Sequence, residues 1–395
     1  MAMISASMAL AIDMLLPALG AMRPAFGLPD DSSRLSLTIT LFFLGSGLGN
    51  LFYGPLADAL GRKPVLAVSL SLYGAAAVVS AFAPTLTVLL MARFVWGVAA
   101  AGPRTLSQAI VRDRYAGDAM ARIMSLIQTA FFLGPVVAPI IGKALVELAS
   151  WRWVLGSGAI VAAICLLWST RLEETLADEH RRPLQFRSMI DGFKAVLSNR
   201  ATLSYAMSVT FMFGAFFSYL SSSELIFDDV FNKPGWFVPS FSVMSATMAM
   251  VALSISRLLR VVSARNLALI GACGFAAVGG LFLVVSLATG GRPHPLVFIG
   301  LMFGAVTFNV IGFPTTNSLA LEPMGAVAGT AAAVIGFISS AFGGILAQLI
   351  NWSLDGTIAP MALGFAVYGL IGLGFQFYAR ANSQAVAAGK PATSG

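Results

Sequence analysis

Two charged side chains stand where an apolar sequence tolerates them least. Asp13 interrupts the run Met1–Met22, and Arg93 lies inside a second run near 87–108. An ionised side chain at mid-bilayer costs about 2.5–3.5 kcal/mol on insertion scales. A carboxylate so placed is relieved by taking up a proton, which makes Asp13 a candidate proton-binding group. Two plainer readings stand beside it: Asp13 lies near the membrane face, or it hydrogen-bonds backbone disturbed by Pro17. Arg93 sits too deep in its run for easy escape to water, or else it snorkels to the outer interface. A third constellation is the segment Gly54-Pro-Leu-Ala-Asp58-Ala-Leu-Gly61-Arg62-Lys63-Pro64, a short charged turn between two apolar stretches. Its charges gather at one membrane face, and Gly54 and Gly61 are expected to let two helix ends approach closely.

Other chemistries find little support. His180 and His294 fall in expected loops, and Cys165 and Cys273 lie inside apolar runs without metal-ligand or disulfide spacing. Gly45-Ser-Gly-Leu-Gly49 superficially resembles a dinucleotide loop. No strand precedes it and it lies mid-run, so close packing of small residues between helices is the expected use.

The elements that must hold these residues are membrane helices. The chain is 58% hydrophobic and 10% charged, with a mean hydropathy of +0.85. Soluble domains carry about 25% charged residues. Apolar runs predict spans near 2–22, 35–56, 65–83, 87–108, 121–146, 153–170, 202–223, 238–258, 266–287, 294–316, 327–349 and 356–378. The expected fold is therefore all-α and polytopic, with twelve transmembrane helices in two pseudo-symmetric six-helix bundles. The bundles are residues 1–170 and 201–380, joined by a cytoplasmic central loop at 171–200 and followed by a cytoplasmic tail at 381–395. The first run lacks a basic flank and a small-residue cleavage site, so it reads as a membrane helix rather than a leader.

Placing the N-terminus in the cytoplasm puts sixteen Lys and Arg residues on the inner side and six on the outer, with Arg93 and Arg104 within a span. That asymmetry predicts both termini inside. The net charge of +7 is carried by loops, with no compact polar domain to present it, so nucleic acid is not an expected partner. Ser256-Arg-Leu-Leu-Arg260 through Arg265, after the eighth span, occupies the place of the charged turn in the second half. This suggests two parallel repeats.

Three more segments join the charged turn: Asp13-Met-Leu-Leu-Pro17 in span one, Arg93-Phe-Val-Trp-Gly97 through Gly102 in span four, and Gly134-Pro135-Val-Val-Ala138-Pro139-Ile-Ile-Gly142 in span five. In that order and on those spans they resemble the motifs of the major facilitator superfamily. With Arg112-Asp113 after span four, the Gly-Pro-x-x-Ala-Pro-x-x-Gly form resembles the Bcr/CflA drug-efflux branch. The motifs cover the first half of the chain, and the second half matches in layout only. Ala138-Pro139 replaces the glycine pair of the broad superfamily, and Arg104 replaces a small or apolar residue. Arg104 either adds positive charge to an inner cavity or reaches the cytoplasmic interface.

The resemblance implies a drug:proton antiporter that exports small hydrophobic compounds by alternating access, a factor in multidrug and antibiotic resistance. Asp13 and Arg93 would couple protons, and Asp13 would also meet substrate. Gly134, Pro135, Pro139 and Gly142 would be the helix-five antiporter motif. In the inner gate formed by Gly54, Asp58, Gly61, Arg62 and Asp113, Asp58 would cap the eleventh span near Ala326, and Arg62 would pair with Asp113. Gln128, Phe131, Phe132, Phe216, Tyr219, Asn309 and Phe313 are candidate cavity-lining residues, set against the commoner use of such aromatics in packing. Glu224, Asp228 and Asp229 are expected in an outer loop. The expected partners are the lipid bilayer of a bacterial cytoplasmic membrane, hydrophobic substrates and protons. The chain is expected to act as a monomer and to use no cofactor beyond the proton gradient. A transporter of one metabolite, such as a sugar or an amino-acid derivative, is the alternative, although few amides and carboxylates are available for a sugar. An enzyme has no metal cluster, nucleotide loop or nucleophile–His pair to support it.

Overall fold

A computed structural model describes residues 1–29, 33–176, 181 and 186–387; the side chains of 33, 117, 118, 121, 125, 128, 131, 132, 186–189, 326 and 383–387 are not among those described. Helices account for the regular structure, and no strand occurs among the described residues. The helices at the expected spans are α1 (Ala2–Asp13), α2 (Leu37–Leu60), α3 (Arg62–Ala81), α4 (Leu86–Arg114), α5 (Gly117–Leu148), α6 (Trp151–Ser169), α7 (Arg200–Leu225), α8 (Phe237–Leu258), α9 (Ala264–Ala288), α10 (Pro295–Leu321), α11 (Ala328–Trp352) and α12 (Ala359–Ala387), and the expected central loop holds a further helix, Phe186–Ser198. Among the described residues, eleven helical stretches are long and apolar enough to cross a membrane, α1 counting with its continuation to Met22. The remaining long helix, α5, has 32 residues and coincides with the expected fifth span.

Local chemistry sets several helix starts. Thr85 accepts from the N–H of Val88, Ser150 from Arg152 and Ser263 from Asn266, each satisfying a donor that an N-terminus leaves free. Prolines 55, 103, 135, 139 and 314 sit inside helices without ending them. Neighbouring helices make this tolerable in a membrane protein.

The chain forms two compact units. The first is Met1–Phe186 with Leu220–Ala249, and the second is Arg187–Tyr219 with Met250–Gly395. In the first, α2 and α3 lie along α4, α6 lies along α3, and α1 lies along α5 and α4. The α2–α4 seam is backbone to backbone: a Cβ on Gly97 would fall 2.0 Å from the carbonyl oxygen of Phe42, and one on Gly45 2.1 Å from that of Phe94. In the second, α9 lies along α10 and α12. There Gly271 meets Gly312, and Gly279 meets the Phe365 backbone.

The charged turn is shorter than the sequence suggests. α2 runs through Gly54 and Pro55 to Leu60, Gly61 alone makes the turn at φ 98°, and α3 begins at Arg62. A Cβ on Gly54 would meet nothing within 4 Å, so no close approach occurs there; at Gly61 the near neighbour is the Glu174 carboxylate rather than a second helix end. Glu224 is also not in a loop. α7 continues to Leu225, and a wide π turn over Ile226–Val230 carries it onward.

Candidate functional site

α1 breaks beside Asp13. The helix ends there, and Leu16–Ala18 follows as a 3-10 turn with Pro17 at its start. Across the break the N–H of Leu15 turns to the carbonyl of Ile12 at 3.1 Å. The Ala11 carbonyl thus loses its usual i+4 donor. Arg93 of α4 takes that place, with Nη1 donating to Ala11 O at 3.1 Å and Nε donating to Thr38 O of α2 at 3.2 Å. The guanidinium also lies over the rings of Phe42 at 4.6 Å and Trp96 at 5.0 Å. Arg93 is 0% exposed, so snorkelling to the interface does not occur. Its Nη2, also buried, has no hydrogen-bond partner among the described residues.

Asp13 itself is 5% exposed, and its carboxyl makes no hydrogen bond or ion pair among the described residues. The site is walled by close helix contacts. A Cβ on Gly142 would lie 2.2 Å from Met14 O, and one on Gly134 would lie 3.1 Å from Ala9 Cβ. The glycines of the span-five motif therefore seat α5 against α1 on either side of Asp13, while Pro139 is buried and Pro135 half-buried. On the other side, Tyr73 of α3 donates to Ser7 O at 2.7 Å and packs edge-on to Trp96. A small cavity beside α1, not lined by Asp13, is bounded by Ala11, Met14, Tyr73, Trp96, Ser157 and Gly158, among others. Arg104, three turns along α4, is half-buried.

The turn at Gly61 forms a second centre of the same unit. Arg62 Nε donates to Asp113 Oδ2 at 3.0 Å, and Arg62 Nη1 donates to Asp58 Oδ1. An apolar cluster that includes Ala57, Val65, Leu106, Ile110 and Cys165 lies beneath. Glu174, which sequence reasoning did not single out, closes this centre. Its carboxylate accepts from the backbone N–H groups of Arg62 at 2.9 Å and Lys63 at 3.1 Å. It also accepts from those of Thr175 at 2.9 Å and Leu176 at 3.0 Å. Burial works to raise this carboxyl, and the four N–H groups outweigh it and hold it below its ordinary value.

A third polar centre lies at the end of α7. Arg23, 4% exposed, donates from both terminal nitrogens to Asp229, at 2.8 and 2.6 Å. Glu224 Oε1 lies 3.0 Å from where a Gly20 Cβ would stand. Its Oε2 is buried without a partner among the described residues.

The other candidates lie in the second unit, along α7 and α10. Phe313 stacks on Phe213 at 4.5 Å, and Tyr219 packs on Phe298. Asn309 donates to Met212 O at 3.5 Å, and Phe216 is half-buried next to Phe217. Tyr219 and Asn309, at 2% and 5% exposed, belong to helix packing as they stand. Gln128, Phe131 and Phe132 lie on α5, and their side chains are outside those described.

Comparison with known proteins agrees with this architecture. An uncharacterized MFS-type transporter of Bacillus subtilis, YdgK, is 28% identical over 365 residues, covering 91% of this chain and 89% of the relative. A bicyclomycin resistance protein homolog of Haemophilus influenzae is 29% identical over 357 residues, covering 89% and 87%. Among solved structures, a D-xylose-proton symporter superposes with a TM-score of 0.76 over 96% of this chain and 95% of its own. At 14% identity that likeness concerns the fold alone. The family model for the Major Facilitator Superfamily matches residues 1–348, and this multi-pass membrane protein belongs to that superfamily of transporters.

Proposed function

We propose that the protein exports small hydrophobic compounds across a bacterial cytoplasmic membrane in exchange for protons, as a drug:proton antiporter of the Bcr/CflA type working by alternating access. The observation that carries this reading is Asp13: a carboxyl 5% exposed, at a helix break, without a polar partner among the described residues. Such a group is costly as an anion and is relieved by a proton or a cationic ligand. Arg93 holds the same break in α1 and keeps one donor, Nη2, unused. A proton entering down its gradient supplies about 1.4 kcal/mol per pH unit, and each net charge crossing 100 mV supplies about 2.3 kcal/mol. The half-buried Phe216 and the stacked Phe313 offer apolar surface of the kind varied hydrophobic compounds use. Arg62, Asp58 and Asp113 act as the inner gate, with both termini on the cytoplasmic side. The relative named for bicyclomycin resistance supports a drug as cargo.

The test is transport in proteoliposomes with an imposed pH gradient and a panel of hydrophobic drugs and polar metabolites. The wild type should move drugs and protons in opposite directions, and Asp13→Asn should bind drug without drug-driven proton movement. Undiminished coupled exchange in that variant removes Asp13 from the mechanism. Transport confined to one polar metabolite replaces drug efflux with a specific metabolite carrier.

A further inference from the structure

The turn at Gly61 leaves a helix start without its own cap. Gly61 precedes α3 and has no side chain to accept from the N–H groups of Arg62 and Lys63. Such donors need a partner. The partner comes from 112 residues away in sequence, where the segment following α6 passes over the turn. Glu174 Oε1 accepts from Arg62, Thr175 and Leu176, and Oε2 accepts from Lys63. The next residue reaches the other side of the same centre, Thr175 Oγ1 donating to Asp113 Oδ2 at 3.2 Å. Asp113 Oδ2 is also the atom that receives Arg62 Nε. Two flanking contacts fasten the segment: Lys63 Nζ donates to Thr170 O at 3.0 Å, and Arg114 Nη2 donates to Glu173 Oε2 at 3.0 Å. The turn itself requires glycine, because Gly61 stands at φ 98°, and the Glu174 carboxylate lies close enough that a Cβ there would fall 2.5 Å from its Oε2.

We infer that Glu174 is a positioning residue of the inner gate: by capping α3 from the segment after α6 it fixes where Arg62 stands, while Thr175 fixes the Asp113 carboxylate that Arg62 meets. The inference rests on reading the Arg62–Asp113 turn as a gate, but its first test does not depend on transport. A negative carboxylate at a helix N-terminus also meets the positive end of the helix dipole. One carboxylate thus holds both the start of α3 and the backbone of its own segment.

Hydrogen–deuterium exchange of the intact protein in detergent or nanodiscs reads the cap directly. In Glu174→Ala the amides of Arg62 and Lys63 should exchange at least about 10-fold faster, as expected when a hydrogen bond to a charged group is lost. The transmembrane helices should keep their protection. Glu174→Gln carries a sharper signature. Its remaining carbonyl oxygen can still accept from Arg62, whereas its NH2 faces the N–H of Lys63, so exchange should quicken at Lys63 and less at Arg62. Unchanged exchange at both amides in Glu174→Ala overturns the inference. So does the same loss in both variants spread evenly over all helices, which marks a general structural role. In transport assays, Glu174→Ala should lower turnover at unchanged KM, and should lower it no further in an Asp113→Asn background. Additive losses there would separate Glu174 from the gate even if the cap itself is confirmed.

Discussion

Arg93 caps the broken end of the helix that carries Asp13, its Nη1 donating to the carbonyl of Ala11 at 3.1 Å. The same guanidinium reaches Thr38 O on α2, so a single planar group ties α4 to two helices at once. The cap is electrostatically apt, because a helix C-terminus favours a positive charge. It also places a cation two residues from the acid without committing its remaining donor.

That geometry makes Arg93→Lys a sharp test. An ammonium carries the charge but lacks the fork needed to serve two carbonyls lying in different directions. One of them should be left buried and unpaired, at a cost of about 1–3 kcal/mol. Thermal unfolding in detergent should rank wild type above Arg93→Lys and Arg93→Lys above Arg93→Met. Equal stability of the Lys variant and the wild type would mean that charge alone matters at this position.

The glycines of the first unit separate into two kinds, and substitution should tell them apart. A Cβ on Gly97 would meet the carbonyl oxygen of Phe42 at 2.0 Å and its carbon at 2.8 Å, both backbone atoms that cannot swing aside. Gly97→Ala should force the α2–α4 seam apart, at a cost of about 1–3 kcal/mol or more. Gly54 lies inside α2 with open space around it. Gly54→Ala should be neutral or stabilising, by up to about 1 kcal/mol from helix propensity. Melting temperatures of the two purified variants check this, Gly97→Ala falling and Gly54→Ala unchanged or raised. A parallel fall in both would show that Gly54 has a contact of its own.

The contrast between those two glycines also marks where sequence reading reaches its limit. Asp13 and Arg93 were legible because a charge inside an apolar run is conspicuous whatever surrounds it. The Arg62–Asp113 contact was legible through the family resemblance, which implies a pair between the charged turn and the end of span four, and the two side chains do meet. Which glycine a neighbour crowds depends on the crossing point of two helices, and no spacing within one helix records that. Glu174 left no signal because its partners are backbone N–H groups, which every residue but proline possesses. Glu224 was misplaced because a π turn carries α7 beyond the polar residues that look like a loop. Tyr219 and Asn309 look like lining residues by type. The packing of α7 against α10 decides their burial, and that is a tertiary fact.

The pH response of the turn at Gly61 follows from the state of Glu174. Burial alone would raise its carboxyl, but the four N–H donors prevail and hold it below its ordinary value of about 4.3. A depressed acid contributes stability that is fully present above that ordinary value and is lost as pH falls through the lower value in the folded protein. Between pH 5 and pH 8 the carboxylate therefore stays charged and its four hydrogen bonds stay made. Protection factors for the amides of Arg62 and Lys63, corrected for the intrinsic pH dependence of exchange, should be flat across that range. They should fall only at more acid pH. Any change in transport between pH 5 and pH 8 then has its source away from this turn, and replacing Glu174 by Gln should leave the shape of that pH profile unaltered while changing its height. A loss of protection between pH 8 and pH 5 would mean that the cap is not an ionised carboxylate with the partners seen here.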